Sequence, residues 1–477
     1  MGRGWKRVAL DADIAPVPYP TTTLCLAASL SSIGDPLGVP RRELLRHGAS
    51  RLHTNLAQAI MRWPTRTSTP PWQSKLAESH GTGDVHDPYP FTMRVHMLPC
   101  CGVYVSLFAF LSVVAPAQNP APQQSPAQES TTAAAYNDAD YRKFDQTLSF
   151  LRERNARQYA IDSAKGVDEA MYVHLGGIDQ WVTIRGEDRQ NPVLLFVHGG
   201  PGDVTNPWSF ALFAAWEKRF TVVQWDQRGA GRTLRETGPS VASTMTLDRI
   251  AQDGIELSEC LRKRLGKDRI VLVAHSFGSI LGLRMVQARP DLFYAYVGTG
   301  QVSDETKNYS VAYAALLEKA QATGNQQAVA ELRRIGPPPY PNGEGYGVQR
   351  KWANSFEGAD RFLPGTLGLA LVAPGNSVRD MNDSIDGQIL SGDRLVPQAR
   401  SSTPKDLGLE FAVPIFFFQG TEDFTTPTAL ARQYLDAIKA PLKEFVPIDG
   451  GHFAVFMNSG QFLRELVAHV LPLAGSH

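Results

Sequence analysis

Short runs of consecutive apolar residues recur from residue 192 onward, and each ends in a glycine-rich or polar turn. The clearest runs are residues 192–197, 221–226, 270–274 and 413–419, with helical patterns between them. Uninterrupted apolar runs of this length are typical of strands that are buried on both faces. Strands that alternate with helices form right-handed crossovers, which produce a mostly parallel sheet covered by helices on both faces. The sequence therefore predicts an α/β fold.

Other patterns refine this prediction. In residues 171–185, apolar and polar residues alternate on either side of a Gly-Gly turn, which predicts a β-hairpin. Thr246 is predicted to be the N-cap of the helix that begins directly after this threonine. The alternation stops at residues 304–400, where the chain is helical and interrupted by Gly and Pro. We interpret this segment as a helical cap inserted over the carboxyl ends of the strands, a position that suits a lid or a specificity subdomain. The α/β domain would then comprise residues 136–303 and 401–477.

The charges of the chain balance overall but are unevenly distributed. Of 47 Lys+Arg and 47 Asp+Glu in 477 residues, residues 1–117 hold 11 basic and 7 acidic side chains, which leaves 36 and 40 for residues 118–477. The main body therefore lacks the basic surface of a nucleic-acid-binding protein. The four cysteines lack the spacing of a disulfide scaffold, a zinc site or a redox pair. No nucleic-acid partner and no metal site are expected.

The N-terminal region has the pattern of an export signal that begins inside the chain. Residues 1–92 show no sustained period and are interpreted as disordered or as an upstream extension that the native protein does not have. From Met93, a basic start, an uncharged apolar run and small residues before Ala117 predict a signal peptide at 93–117. We expect cleavage after Ala117 and a secreted or periplasmic protein, with an uncleaved anchor as the alternative. Residues 118–135 are predicted to be a flexible linker.

Ser276 has the setting of a catalytic nucleophile. It lies between an apolar strand and a helix, with Ala274 two residues before it and Gly278 two residues after it. Small residues at these positions permit the strained turn that raises a serine hydroxyl above a sheet. The helix N-terminus favours developing negative charge, and the backbone N–H of Phe277 is predicted to donate to an oxyanion. A second donor is expected from the glycine-rich loop 198–202.

A nucleophilic serine requires a base and a carboxylate that orients the base. In this topology the order along the chain is Ser, then Asp or Glu, then His. His452 follows the last predicted strand, and Asp423 follows the strand that ends at Gln419, so we predict these two residues as base and carboxylate. The rivals are less well placed; they are Glu422, Asp449, His469 and His477.

Together these residues resemble the proline iminopeptidase-like branch of the α/β-hydrolase superfamily, over about residues 171–470. The resemblance rests on HGGPG at 198–202, DQRGAG at 226–231, Ser276, Asp423 and His452. It implies an α/β-hydrolase fold with a helical cap and a serine aminopeptidase that removes N-terminal residues, often proline, from short peptides. It also implies that Gly200 supplies the second oxyanion donor.

The resemblance extends less closely to the substrate-binding residues. In that family, cap glutamates bind the free amino group, and one of them lies in a Trp-Ser-x-Trp-Glu-Gly segment. This chain has WANSFEG at 352–358, with one residue more between the Trp and the Glu. The resemblance thus implies Trp352 and Glu357 as substrate contacts, although Glu357 equally fits a solvated helix position. A second family glutamate, in a Glu-x-His-Tyr-Phe segment, has no counterpart, because residues 304–400 contain no histidine.

Three functions remain open at this point. The first is an exported aminopeptidase acting on short peptides, and the second is an esterase or acyl hydrolase of small substrates with the same triad. The third is a binding protein that has kept a hydrolase scaffold without turnover. An epoxide hydrolase or dehalogenase is disfavoured, since those enzymes use Asp where this chain has Ser276. No cofactor and no stable membrane insertion after signal cleavage are expected, and the oligomeric state is left open.

Overall fold

The computed structural model describes residues 138–475, so the segments predicted at 1–92, 93–117 and 118–135 lie outside the described residues. Eight strands form one sheet in the order β1-β2-β4-β3-β5-β6-β7-β8. Their bounds are β1 Val167–Leu175, β2 Ile178–Gly186, β3 Val193–Val197, β4 Thr221–Trp225, β5 Ile270–His275, β6 Phe293–Thr299, β7 Ile415–Gly420 and β8 Lys443–Ile448. The pairs β1–β2 and β2–β4 are antiparallel, and all other neighbours are parallel. The predicted α/β fold with a mostly parallel sheet is confirmed.

Helices connect and cover the strands. Their bounds are α1 Asp138–Gln158, α2 Asn206–Leu212, α3 Gly231–Thr237, α4 Leu247–Leu265, α5 Gly278–Ala288, α6 Glu305–Ala322, α7 Gln326–Ile335, α8 Gly343–Glu357, α9 Ala359–Leu371, α10 Val378–Ala399, α11 Pro404–Leu407, α12 Thr428–Ala437, α13 Ala454–Met457, α14 Ser459–Glu465 and α15 Leu471–Ala474. A π-helical turn at Leu466–Val470 joins α14 to α15. No helix in the described part of the chain is long and apolar enough to cross a bilayer.

The strands β3, β4, β5 and β7 are buried on both faces of the sheet, as the apolar runs predicted. Successive residues of a strand point to opposite faces. In β3, Val193, Leu195 and Val197 pack into a core that also contains residues of α4, α5 and α12. Leu194 and Phe196 pack instead into a second core that includes Phe462 of α14 and other aromatic side chains. Because every residue of β3 is buried, the strand has no polar face.

Several local predictions can be compared directly with the structure. The hairpin is confirmed, since β1 and β2 pair from Val167–Gly186 to Leu175–Ile178. The Thr246 N-cap is also confirmed, because its side chain accepts a hydrogen bond from the backbone N–H of Arg249. The sequence pattern at about 208–220 predicts one continuous helix, and this prediction is wrong in extent: α2 ends at Leu212, and a short 3₁₀ turn follows.

Several elements have no counterpart in the predictions, and α1 and β6 are the longest helix and the one strand among them. β6 contains two tyrosines, and the hydroxyl of the fully buried Tyr296 donates to Gln301 Oε1 at 2.7 Å. The polar helix α1 is held by distant groups, since the Asn155 side chain donates to the carbonyl of Val372 at 2.9 Å. Both elements therefore depend on contacts that no local pattern of the sequence indicates.

Residues 305–399, between β6 and β7, contain the five helices α6 to α10, which we call the cap. Helix α10 is tied to α3 by ion pairs of Arg232 and Arg235 with Asp380, at 2.7 and 2.6 Å, and by a further pair of Arg235 with Asp383. Burial alone would raise the pKa of Asp380, but hydrogen bonds from Ser377 and Arg232 lower this pKa to about 2. The carboxylate of Asp380 therefore stays charged, and the contact between cap and sheet domain persists, across the neutral range.

Candidate active site

Ser276 occupies a strained turn at the carboxyl end of β5. With a φ of 54°, it is the only non-glycine residue with a positive φ among residues 138–475. This left-handed conformation costs a non-glycine residue of order 1–3 kcal/mol and is held by the surrounding structure. The backbone N–H of Ser276 donates to the carbonyl of Thr299 on β6 at 3.0 Å, and α5 begins two residues later. The turn thus has the geometry expected of a nucleophile between strand and helix.

The structure brings Ser276, His452 and Asp423 together. Ser276 Oγ lies 2.9 Å from His452 Nε2, and His452 Nδ1 lies 3.0 Å from Asp423 Oδ2. Ser276 and His452 are 176 positions apart in the sequence, and Asp423 and His452 are 29 positions apart. Yet Ser276 follows β5, His452 follows β8 and Asp423 follows β7, so all three lie at the carboxyl ends of parallel strands. The imidazole can accept the serine proton on one nitrogen while the carboxylate orients the other.

Asp423 is fixed by donors that the sequence analysis did not identify. Its Oδ1 accepts the backbone N–H groups of Thr425 and Thr426, at 2.9 and 2.7 Å. Its Oδ2 accepts from Gln419 Nε2 and from the Thr426 hydroxyl, each at 2.9 Å. A signal was present, because Asp followed by polar residues two and three positions later is typical of a turn in which the carboxylate caps the backbone. These bonds leave little freedom to the carboxylate that faces His452.

The rival residues are placed elsewhere. Glu422 and Asp449 are exposed, and Glu422 pairs with Lys319. His469 pairs with Glu444 and Glu465 on the surface of the terminal helices. The remaining rival, His477, lies outside the described residues.

The predicted oxyanion donors lie on either side of Ser276. Within residues 138–475, the backbone N–H groups of Phe277 and Gly200 donate no hydrogen bond, so both are available to a ligand. The loop 198–202 approaches Ser276 closely: a Cβ on Gly199 would lie 2.8 Å from the Cβ of Ser276. Only glycine permits this approach without a clash. The arrangement suits the stabilisation of a tetrahedral oxyanion.

His198, which begins the HGGPG loop, is fully buried and links two loops. Its Nε2 accepts the backbone N–H of Gln227 at 3.3 Å, so its Nδ1 carries the proton and donates to the carbonyl of Gly199 at 3.0 Å. The Gln227 side chain donates in return to the carbonyl of His198 at 2.9 Å. Burial lowers the pKa of His198 to about 4. The imidazole is therefore neutral near pH 7 and serves to join the HGGPG and DQRG segments.

The buried state of His198 predicts a pH-dependent contribution to stability. Because its pKa is about 4 in the folded chain, against an ordinary value of 6.5, the unfolded chain binds the proton first as the pH falls. The contribution is present above pH 6.5 and is lost as the pH falls from 6.5 toward 4. We expect the difference in unfolding free energy between the native chain and His198→Gln to shrink by about 2 kcal/mol between pH 7 and pH 5. Urea unfolding at both pH values measures it, and a constant difference would contradict the prediction.

A second buried histidine, His275, contacts His452 directly. Its ring centroid lies 4.9 Å from that of His452. Burial, with smaller effects of His452 and His198, lowers the pKa of His275 well below its ordinary value. A neutral ring at this position packs against His452 without adding a competing positive charge. No pattern in the sequence indicates this contact.

Arg228 of the DQRG segment has a structural role. It is fully buried, and its guanidinium pairs with Asp253 of α4, with Nε 2.7 Å from Oδ2 and Nη2 3.1 Å from Oδ1. Nη2 also donates to the carbonyl of Gly176 in the turn between β1 and β2, at 2.9 Å. The motif therefore ties the loop after β4 to the hairpin and to α4.

The residues that the resemblance implied as substrate contacts have other partners in this structure. Trp352 is buried in a cluster of cap side chains, and its Nε1 donates to Glu331 at 3.0 Å. Glu357 is only 6% exposed, which differs from the solvated helix position considered as its alternative. Its two oxygens accept the backbone N–H groups of Phe424 and His452, at 2.7 and 3.2 Å. Neither side chain has a free polar group directed at a substrate.

Asp203, directly after the HGGPG loop, was not predicted as a site residue. It is half-buried, its Oδ1 accepts from Gln388 Nε2 of α10 at 2.9 Å, and it lies close enough to His452 to interact with it electrostatically. Burial raises the pKa of Asp203 to about 6, against the opposing effects of Gln388 and His452. No Lys or Arg in the described part of the chain forms an ion pair with it. A carboxylate that forms no ion pair with a described Lys or Arg thus lies near His452.

Within residues 138–475, no group of three His, Cys, Asp or Glu side chains is arranged to hold a metal ion.

A family model described as the alpha/beta hydrolase fold matches residues 192–459. The probable aminopeptidase YbaC of Bacillus subtilis (strain 168) is 30% identical over 294 residues, which cover 60% of this chain and 90% of that protein. A probable proline iminopeptidase of Streptomyces coelicolor is 37% identical over 105 residues, which cover 22% of this chain and 31% of that protein.

Among solved structures, a proline iminopeptidase-related protein from Thermus thermophilus is similar, with a TM-score of 0.43 and 19% identity over 64% of this chain and 99% of that chain. The match to the family model covers the strand β3, the turn around Ser276, the cap and the turns that carry Asp423 and His452. The long match to YbaC agrees with the motif resemblance. The chain therefore belongs to the alpha/beta hydrolase fold family, among relatives of the proline iminopeptidase kind.

Proposed function

We propose that this hydrolase is a serine hydrolase in which Ser276 is the nucleophile. The observation that supports it is the continuous chain of contacts from Ser276 Oγ through His452 to Asp423, at 2.9 and 3.0 Å. Ser276 Oγ attacks a carbonyl carbon, His452 Nε2 takes the hydroxyl proton, and the N–H groups of Phe277 and Gly200 stabilise the oxyanion. His452 then returns the proton to the leaving group, and an acyl-enzyme remains on Ser276. Water, activated by the same imidazole, hydrolyses the acyl-enzyme and restores the serine.

Within this class we propose an aminopeptidase that releases N-terminal residues from short peptides. The similarity to proteins named probable aminopeptidase and probable proline iminopeptidase supports this choice. An aminopeptidase must also bind a positively charged α-amino group close to the scissile carbonyl. The half-buried carboxylate of Asp203, near His452 and without a cation of its own, offers such a partner. With a pKa of about 6, most of it is ionised near pH 7.

The test compares proline and alanine anilides that have a free amino group with the same anilides after N-acetylation. We expect cleavage of the free forms only. Asp203→Asn is expected to raise KM for the free anilides by about 10- to 100-fold, because an ionic hydrogen bond is lost. The matched control is Asp268→Asn, which should leave KM unchanged. Asp268 is exposed and lies just before β5, at the end of that strand opposite to Ser276. Equal cleavage of free and acetylated anilides would reject the aminopeptidase proposal.

An esterase or small-acyl hydrolase is the second candidate. The observation that favours it is that both oxygens of Glu357, the position matching a family glutamate, are occupied by main-chain N–H groups. Short-chain nitrophenyl esters, assayed beside the anilides, separate the two functions. Turnover of esters with no cleavage of any anilide would establish the second candidate over the first.

We also propose that the protein is exported, after cleavage of a signal peptide that begins at Met93. The sequence pattern that supports this is the basic start, the apolar run and the small residues before Ala117. N-terminal sequencing of the native protein tests it. An N-terminus at Gln118 is expected, whereas a peptide from within residues 1–92 would contradict the proposal.

A further inference from the structure

The carboxylate of Glu357 lies between the two loops that carry the partners of Ser276. Glu357 is the last residue of α8 in the cap. Its Oε1 accepts the backbone N–H of Phe424, the residue after Asp423, at 2.7 Å. Its Oε2 accepts the backbone N–H of His452 itself, at 3.2 Å. One side chain of the cap therefore holds the backbone of both the carboxylate loop and the base loop.

The loop of His452 is shaped to receive this side chain. A Cβ on Gly451 would overlap the Cβ and Cγ atoms of Glu357, so any larger residue there would displace either the loop or the glutamate. The aliphatic part of Glu357 consequently packs directly on the backbone that precedes His452. Without the carboxylate, the N–H groups of Phe424 and His452 would be buried donors with no partner. The most favourable response of the chain would be to move the loops.

A role as the anchor of a substrate amino group fits these contacts poorly. Besides the two backbone N–H groups, the Thr425 hydroxyl approaches Oε1 at 3.4 Å, and the side chain is 6% exposed. The charged groups that face Glu357 are Asp423 from the loop after β7 and Arg350 from its own helix. Burial and the neighbouring Asp423 raise the pKa of Glu357 above its ordinary value, and both of its oxygens already accept main-chain N–H groups, so the side chain offers an incoming cation no free acceptor.

We propose that Glu357 is a positioning residue for catalysis: its carboxylate fixes the Asp423 loop and the His452 loop relative to each other and couples the cap to the triad. This inference rests on the serine hydrolase proposed above, but not on the identity of its substrate. Because reaction rates fall steeply when catalytic groups are displaced by about 1 Å, loosening the two loops lowers the rate of acylation for every substrate. The binding of substrate, by contrast, is unaffected.

The experiment uses a probe that has no amino group. A fluorophosphonate reacts with an activated serine, so its second-order rate of inactivation reports on the triad alone. For Glu357→Gln, we expect this rate and kcat for a nitrophenyl ester to fall together by about 10- to 100-fold, with KM unchanged. The matched control is Glu344→Gln, an exposed glutamate in the first turn of the same helix α8, which should keep the native rates.

A second measurement separates positioning from a general loss of structure. Residues that act as one unit give strongly non-additive effects. In an Asp423→Asn background, adding Glu357→Gln is therefore expected to lower the remaining activity by less than about twofold. Thermal unfolding of each variant shows what fraction is folded, and rates are expressed per folded chain.

The outcomes are distinct. If Glu357→Gln slows only free-amine anilides and leaves the fluorophosphonate rate unchanged, Glu357 binds substrate and the positioning role is overturned. If its effect multiplies fully with that of Asp423→Asn, it acts independently of the triad and the proposal also fails. If the native chain does not react with fluorophosphonate at all, the serine hydrolase proposal itself is rejected.

Discussion

Replacing Ser276 with alanine is expected to lower kcat by about 10⁶-fold and to abolish fluorophosphonate labelling. In the proposed mechanism the hydroxyl forms the covalent bond to the acyl group, and it lies 2.9 Å from His452 Nε2. The oxyanion donors remain in place in the variant, so a small residual rate above that of water is expected. Steady-state kinetics on the best substrate, together with gel detection of the labelled chain, measures both effects.

Ser310→Ala is the control for this substitution, since Ser310 is exposed on α6 in the cap. It should keep native kcat and native labelling. Labelling that survives in Ser276→Ala would show that another residue is the nucleophile. A native chain that binds peptides or esters but neither turns them over nor becomes labelled would instead be the binding protein considered from the sequence.

Asp423→Asn is expected to lower kcat by about 10⁴-fold with little change in KM. An amide can donate toward His452 Nδ1, which favours the tautomer that has its proton on Nε2, the nitrogen that must accept from Ser276. The negative charge that stabilises the imidazolium is lost as well. The bonds from Gln419 and Thr426 hold the side chain at position 423 in a fixed orientation, so compensation by rotation is limited.

Asp449→Asn provides the comparison, because Asp449 is the rival carboxylate closest to His452 in the sequence. It is exposed, and its backbone N–H bonds to Gln461 on α14. We expect less than about a twofold change in kcat, within the small effects of surface substitutions. The opposite ranking, with Asp449→Asn far more damaging than Asp423→Asn, would reject Asp423 as the orienting carboxylate.

Local patterns were sufficient to predict the fold class and the order of the motifs. The buried strands appear as uninterrupted apolar runs, and the turn around Ser276 has small residues at Ala274 and Gly278. Ser276, Asp423 and His452 could be predicted together because each follows a strand of a parallel sheet, and the carboxyl ends of such strands meet at one edge. Their catalytic roles stay predictions until the substitutions above are measured.

The residues that support the site were harder to predict, because they act across long distances in the sequence. Glu357 precedes His452 by 95 positions, and its contact depends on how the cap packs on the sheet domain. Asp203 meets Gln388 across 185 positions. Neither spacing has a periodic signature, and a carboxylate in a helix or a loop is most often solvated. Such contacts become visible only when the cap and the sheet edge are described together.

The left-handed conformation of Ser276 bears on how such a site persists in evolution. Glycine adopts a φ of 54° without strain, so a change of this serine to glycine would be expected to stabilise the fold by about 1 kcal/mol while removing the nucleophile. A lineage released from selection for turnover would therefore gain stability by losing the serine first. A strained serine in contact with His452 therefore supports the proposed catalytic role of Ser276.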